Sequence, residues 1–142
     1  MTIYESVVTA INERFRTIEP LIPVILDYEP TALVEYPTMY TLLENAEFPT
    51  TAGGVQSRRY RLLHRLCFQW IDNEQAERDL APYVDAVPES VLTDPSLGGV
   101  ITSGLAHITR GDGVFVSIGG ALYRAIDFHS DILVKGERLL IR

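Results

Sequence analysis

From Arg58 to Trp70 the chain alternates. Tyr60, Leu62, His64, Leu66, Phe68 and Trp70 hold the even positions, and Arg59, Arg61, Leu63, Arg65, Cys67 and Gln69 the odd ones. A period of two predicts a strand with its even side chains in a core and its arginines on the other face. At ~3.3 Å per residue that strand spans roughly 40 Å. Strands usually run to ~5–6 residues, so this one is expected to overhang its own core and meet another subunit.

Helical spacing appears twice. Thr2-Ile3-Tyr4-Glu5 reads as a capping box, and behind it Val7, Val8, Ile11, Phe15 and Ile18 form one apolar face until Pro20 stops the helix. Asp72-Asn73-Glu74-Gln75 opens a second helix, in which Leu80, Val84, Val87 and Val91 are expected on one buried face. Pro82 and Pro88 each remove a hydrogen bond, which predicts a kink or a fresh helix beginning at Pro82. Asp94-Pro95 ends the helix, and Gly98-Gly99 turns the chain into Val100.

The remaining segments read as strands and turns. Pro23 to Tyr28 is a connection or an edge strand, and Tyr36 to Leu43 is a strand. Phe48 to Ser57 is a loop bent at Gly53-Gly54, longer than a tight hairpin turn and expected to project. Val100 to Arg110 is expected to reach a hairpin turn at Gly111-Asp112-Gly113, with Val114 to Ile118 returning. Gly119-Gly120 would break or bulge that strand, and Ala121 to Val134 continues it. Residues 136–142, with Leu139, Leu140 and Ile141, form a last strand or an apolar tail for a neighbour. With no βαβ rhythm, the order predicts one α+β domain over 1–142. Its largely antiparallel or mixed sheet of about four to six strands would pack against two main helices.

Charge narrows the function. Twelve basic against 19 acidic residues give a net charge of −7, which disfavours a dedicated nucleic-acid or anionic-lipid binder. A single cysteine, Cys67, forms no internal disulfide and fits a reducing compartment. Met1 leads into an amphipathic segment without the layout of a signal peptide, and no apolar run approaches the ~20 residues of a membrane span. No phosphate loop is present, since both Gly-Gly pairs lead into strands.

Candidate chemistry is sparse. Asp127, His129 and Asp131 share one strand face, but ~6.5–7 Å spacings suit a polar stripe better than a metal site. His64, between Leu62 and Leu66, reads as a hydrogen-bonded core histidine. Cys67 falls on the polar face with no flanking motif. Arg110-Gly111-Asp112 is explained by turn chemistry. The basic stripe Arg58, Arg59, Arg61 and Arg65 is the one charge anomaly, either a solvated face or an interface with an acidic neighbour. A small enzyme or ligand-binding domain using His107, Asp127 and His129 around a pocket is the alternative class.

Several segments carry a resemblance. They are Tyr36-Pro37-Thr38-Met39-Tyr40, Tyr83-Val84-Asp85-Ala86-Val87, Leu92 with Asp94-Pro95-Ser96-Leu97-Gly98-Gly99, and Gly119-Gly120-Ala121-Leu122-Tyr123-Arg124-Ala125. In order and length the chain resembles the tail terminator proteins of long-tailed bacteriophages, the lambda-type family. That resemblance implies a virion protein assembled in the host cytoplasm, without enzymatic activity or cofactor. It would form a homohexameric ring that caps the tail tube protein, ends polymerisation and meets a head-side connector. Genomic DNA would pass through the lumen without sequence-specific binding. Interface candidates are Phe48, Gly53, Gly54, Val55, the four arginines, Leu139, Leu140 and Ile141.

Overall fold

A computed structural model describes residues 1–50, 53–101 and 104–137. Its order is α1 (Ile3–Phe15), β1 (Val24–Leu26), β2 (Thr38–Glu47), β3 (Gln56–Gln69), α2 (Asn73–Leu80), α3 (Tyr83–Leu92), β4 (Gly104–Ile118) and β5 (Ala121–Glu137). The five strands form one sheet in the order β1-β2-β3-β5-β4. The β1–β2 pair is parallel and every other pair antiparallel. This is the expected α+β fold, with the second helix divided in two.

Local signals account for the helices. Thr2 accepts from the Glu5 amide at 3.1 Å while Glu5 accepts from the Thr2 amide at 3.0 Å, closing the capping box. Asp72 caps α2 through the Gln75 amide at 2.8 Å. The chain restarts at Pro82 with Ala81 and Pro82 both in helical geometry, and α3 buries Tyr83, Val87, Ser90 and Val91. Val84 falls at the rim of that buried stripe and is 46% exposed, which corrects the expectation that it lies buried on one face with Leu80, Val87 and Val91. At the exit, the Asp94 carboxylate accepts from the Ser96 hydroxyl (2.7 Å) and the Gly98 amide (2.8 Å). Leu97, Gly98 and Gly99 all take positive φ, and Leu97 is buried in the core.

One face of the sheet packs against the helices. Met39 of β2, Leu62, Leu66 and Phe68 of β3, and Ile126, Phe128 and Ile132 of β5 meet Val7, Ile11 and Phe15 of α1 and Val87 and Val91 of α3. Trp70, expected inward, lies just past the end of β3. It is 40% exposed and sits edge-to-face against Phe115. The long strand is central: β2 and β5 flank β3, and the sheet's two edges are the short β1 and the long β4.

The β4–β5 hairpin corrects the turn assignment. β4 runs unbroken through Gly111-Asp112-Gly113, and the chain reverses at Gly119-Gly120, where Ile118 pairs with Ala121. Both turn glycines have positive φ (58° and 82°), as a two-residue hairpin turn requires. Gly111 and Gly113 serve close approach instead. A Cβ at Gly111 would lie 3.2 Å from the Phe128 ring, and one at Gly113 would lie 3.0 Å from the Arg124 guanidinium.

Candidate functional site

Opposite the helices the sheet presents its second face. At one end the chain following β1 lies over it, so Leu33 packs with Tyr40, Cys67, Ile118, Tyr123 and Ala125 in a small second core. Cys67 is therefore fully buried instead of lying on a polar surface. Burial pushes its thiol up to about 12, which leaves it protonated and unreactive.

The rest of that face is a lattice of cross-strand ion pairs. Arg65 and Asp127 are register partners, and the guanidinium grips both carboxylate oxygens at 2.7 and 2.8 Å. Arg65 also donates to the Tyr40 hydroxyl at 3.3 Å. Arg59 reaches diagonally to Asp131, with Nε 2.8 Å from Oδ1, and holds that carboxyl below its ordinary range. Arg61 donates to Asn45 at 3.2 Å and pairs with Glu47. His129 lies between Glu44 Oε1 at 2.7 Å and Asp112 Oδ2 at 3.1 Å. Both contacts are hydrogen bonds when both ring nitrogens carry protons. Arg110 closes the lattice on Asp112 at 3.0 Å, and its contact is the main reason that the Asp112 carboxyl is held low.

This arrangement can bind strands to one another, but it places no activated nucleophile or shared proton donor at a cavity. Asp127 is committed to Arg65, and His129 to Glu44 and Asp112. His107 stands exposed across from Asp131. The structure thus distributes His107, Asp127 and His129 among separate contacts. Among the described residues no group of three or more His, Cys, Asp or Glu side chains is placed to hold a metal ion.

The stripe also divides. Arg59, Arg61 and Arg65 occupy the lattice, whereas Arg58 shares the helix-side face with Tyr60. There it lines a groove of about 460 Å³ with Leu43, Ala46, Phe48, Tyr60 and the start of α1. Its Cζ lies 5.7 Å from the Phe48 ring centroid, and its buried Nε has no acceptor among the described residues.

The adjoining loop is anchored at its base. Thr50 bridges Gln56, and the Ser57 amide donates to the Pro49 carbonyl at 2.9 Å. Gly54 takes φ 74°, with open space around Gly53 and Gly54. Val55 reaches the end of β5, where a Cβ on Gly136 would fall 2.4 Å from its Cγ1. Leu139, Leu140 and Ile141 lie outside the described residues.

Sequence reasoning missed the lattice carboxylates Glu44, Glu47 and Asp112, because only strand register brings them to the arginines. It also passed over the chain between β1 and β2, whose surface carries Tyr28 (59% exposed) and Val34 (85%). The run of acidic residues there, with no basic residue from 17 to 57, was the available signal. No family model and no curated protein matches the chain. No helix among the described residues is long and apolar enough to cross a membrane.

Proposed function

We propose that this chain is a structural subunit of the tail-terminator type. It would assemble as a ring on the end of a phage tail tube, stop tube growth and present a surface to the head-side connector. The observation that carries this reading is the 15-residue strand β4, which among the described residues pairs with no strand but β5; past Ala106, whose amide donates to the Pro95 carbonyl at 3.0 Å, its other edge is open. A long open edge is a template for another chain. Leu105 (61% exposed) and Phe115 (51%) flank it with apolar surface suited to burial between subunits. The polar groups of the opposite face are largely engaged with one another, so that face supports a scaffold role more readily than chemistry.

The test is assembly. Purified protein added to polymerising tail tube protein is expected to shorten the tubes and leave a ring of about six subunits at one end in negative-stain images. Tubes of unchanged length, with no bound ring at saturating protein, would refute it.

A further inference from the structure

Two surfaces at opposite ends of the sheet lack ion-pair partners among the described residues, and they are complementary. The first is the Arg58 groove. Arg14, Arg16, Arg59, Arg61, Arg65, Arg78, Arg110 and Arg124 each reach a carboxylate or a backbone carbonyl. Among the described residues Arg58 reaches neither: it contacts the Tyr60 hydroxyl, and its Nε is buried without an acceptor beside the half-exposed Phe48 and Leu43. A guanidinium with no carboxylate among the described residues, on a largely apolar floor, suits a carboxylate next to a bulky apolar side chain.

The second surface is the chain between β1 and β2. Glu29, which lies near Tyr40 and Cys67, and Glu35 form no ion pair among the described residues. Tyr28 and Val34 stand exposed among them. This segment is held in place: Leu33 is buried against Tyr40 and Tyr123, and Tyr36 stacks 6.0 Å from Tyr123. Tyr123 and the Arg58 partner Val134 lie eleven residues apart on β5, roughly 36 Å at ~3.3 Å per residue. One molecule therefore offers the acidic–apolar surface at one end and the cationic groove at the other.

We propose that copies of this chain associate head to tail, with Glu29, Val34 and Glu35 of one copy seated on the Arg58–Phe48 groove of the next. The occupant is a second copy because its exposed carboxylates and Val34 supply both chemistries that the groove asks for. A contact between two different patches is heterologous and generates a ring when its rotation closes. The inference rests on the ring-forming reading above and names the surfaces that would build it.

Charge exchange tests it. Arg58→Glu alone, and Glu29→Lys/Glu35→Lys alone, are each expected to raise the midpoint concentration of self-association about tenfold or more, read by light scattering at low salt. Each variant keeps one native patch. Mixed in equal amounts, they present the native Arg58 of one variant to the native acidic segment of the other, and the introduced glutamate to the introduced lysines. Association is then expected to return to within about threefold of the unmodified protein. Circular dichroism checks that each variant folds. The acidic segment is solvent-exposed, so its variant carries the test alone if Arg58→Glu does not fold. Unchanged association in the folded variants, or no recovery on mixing, overturns this contact and leaves the ring reading standing. An unmodified chain that stays monomeric across the concentration range also overturns it, and the tube-capping assay then judges the ring reading separately.

Discussion

His64 gives a sharp test of how the core is built. It is fully buried in β3, with its ring edge-on to Phe15 at 4.9 Å. The Thr41 hydroxyl donates its one proton to Asn12 Oδ1 at 3.1 Å. Thr41 therefore accepts from His64 Nδ1–H at 2.8 Å, and the Ser130 hydroxyl donates to Nε2 at 2.8 Å. Both ring nitrogens are satisfied in the neutral form, and a second ring proton would force the Ser130 hydroxyl to turn its own proton away and accept instead. Burial, with the charge of His129 adding to it, pushes the His64 pKa down to about 3. The unfolded chain binds this proton near pH 6.5 and the folded chain does not. Stability from this group is thus complete above about 6.5 and is lost as pH falls from there toward 3. At pH 5.0 the loss is about 2 kcal/mol relative to pH 7.5, from RT ln(1 + 10^1.5), as long as the folded pKa lies well below 5. Urea denaturation at both pH values would be compared for the unmodified protein and His64→Gln. The substitution itself is expected to cost about 1–3 kcal/mol at pH 7.5 by disturbing a buried hydrogen-bonded network. The decisive quantity is the pH-dependent loss, expected to be about 2 kcal/mol smaller in His64→Gln. Equal losses in the two proteins would refute a His64 held neutral by the fold.

Further outcomes follow from the sheet. Gly119→Ala is expected to destabilise more than Gly120→Ala in thermal melts. Both residues have positive φ, costing about 1–2 kcal/mol, but only at Gly119 would a Cβ fall 2.6 Å from the Thr31 carbonyl oxygen. Arg65→Met strands the nearly buried Asp127 and is expected to cost about 3 kcal/mol, whereas Arg61→Ala on the exposed Glu47 pair should cost under ~1 kcal/mol, both read by urea titration. Cys67 is expected to resist a thiol reagent in the native protein and to label stoichiometrically in denaturant; fast native labelling would show that the second core opens.

How much was legible follows the range of each interaction. The Thr2–Glu5 box, the Asp72 cap, the restart at Pro82 and the Asp94-Pro95 stop are set within a few residues, and each forms where its local chemistry puts it. His64 was legible because strand period two fixes which face a residue takes. Gly111-Asp112-Gly113 misled because a glycine pair flanking an aspartate has two uses. A turn and a close approach look alike until the partner strand supplies Phe128 and Arg124. Cys67 misled for a similar reason, since a segment distant in sequence covers its end of the face.

The candidate surfaces divide the same way. By itself the sequence determined that a long amphipathic strand carries arginines in an acidic chain, and that helices and strands alternate as an α+β domain. Those features rest on dihedral preference, capping and periodicity, which act between near neighbours. Only the tertiary structure decided what each arginine meets. The β3–β5 register sets Arg65 opposite Asp127, and the β3–β2 pairing brings Arg61 to Glu47. Arg58, on the other face of the same strand, meets no carboxylate among the described residues. Pairing between strands tens of residues apart is a property of register, and register is settled by the burial of a whole face at once.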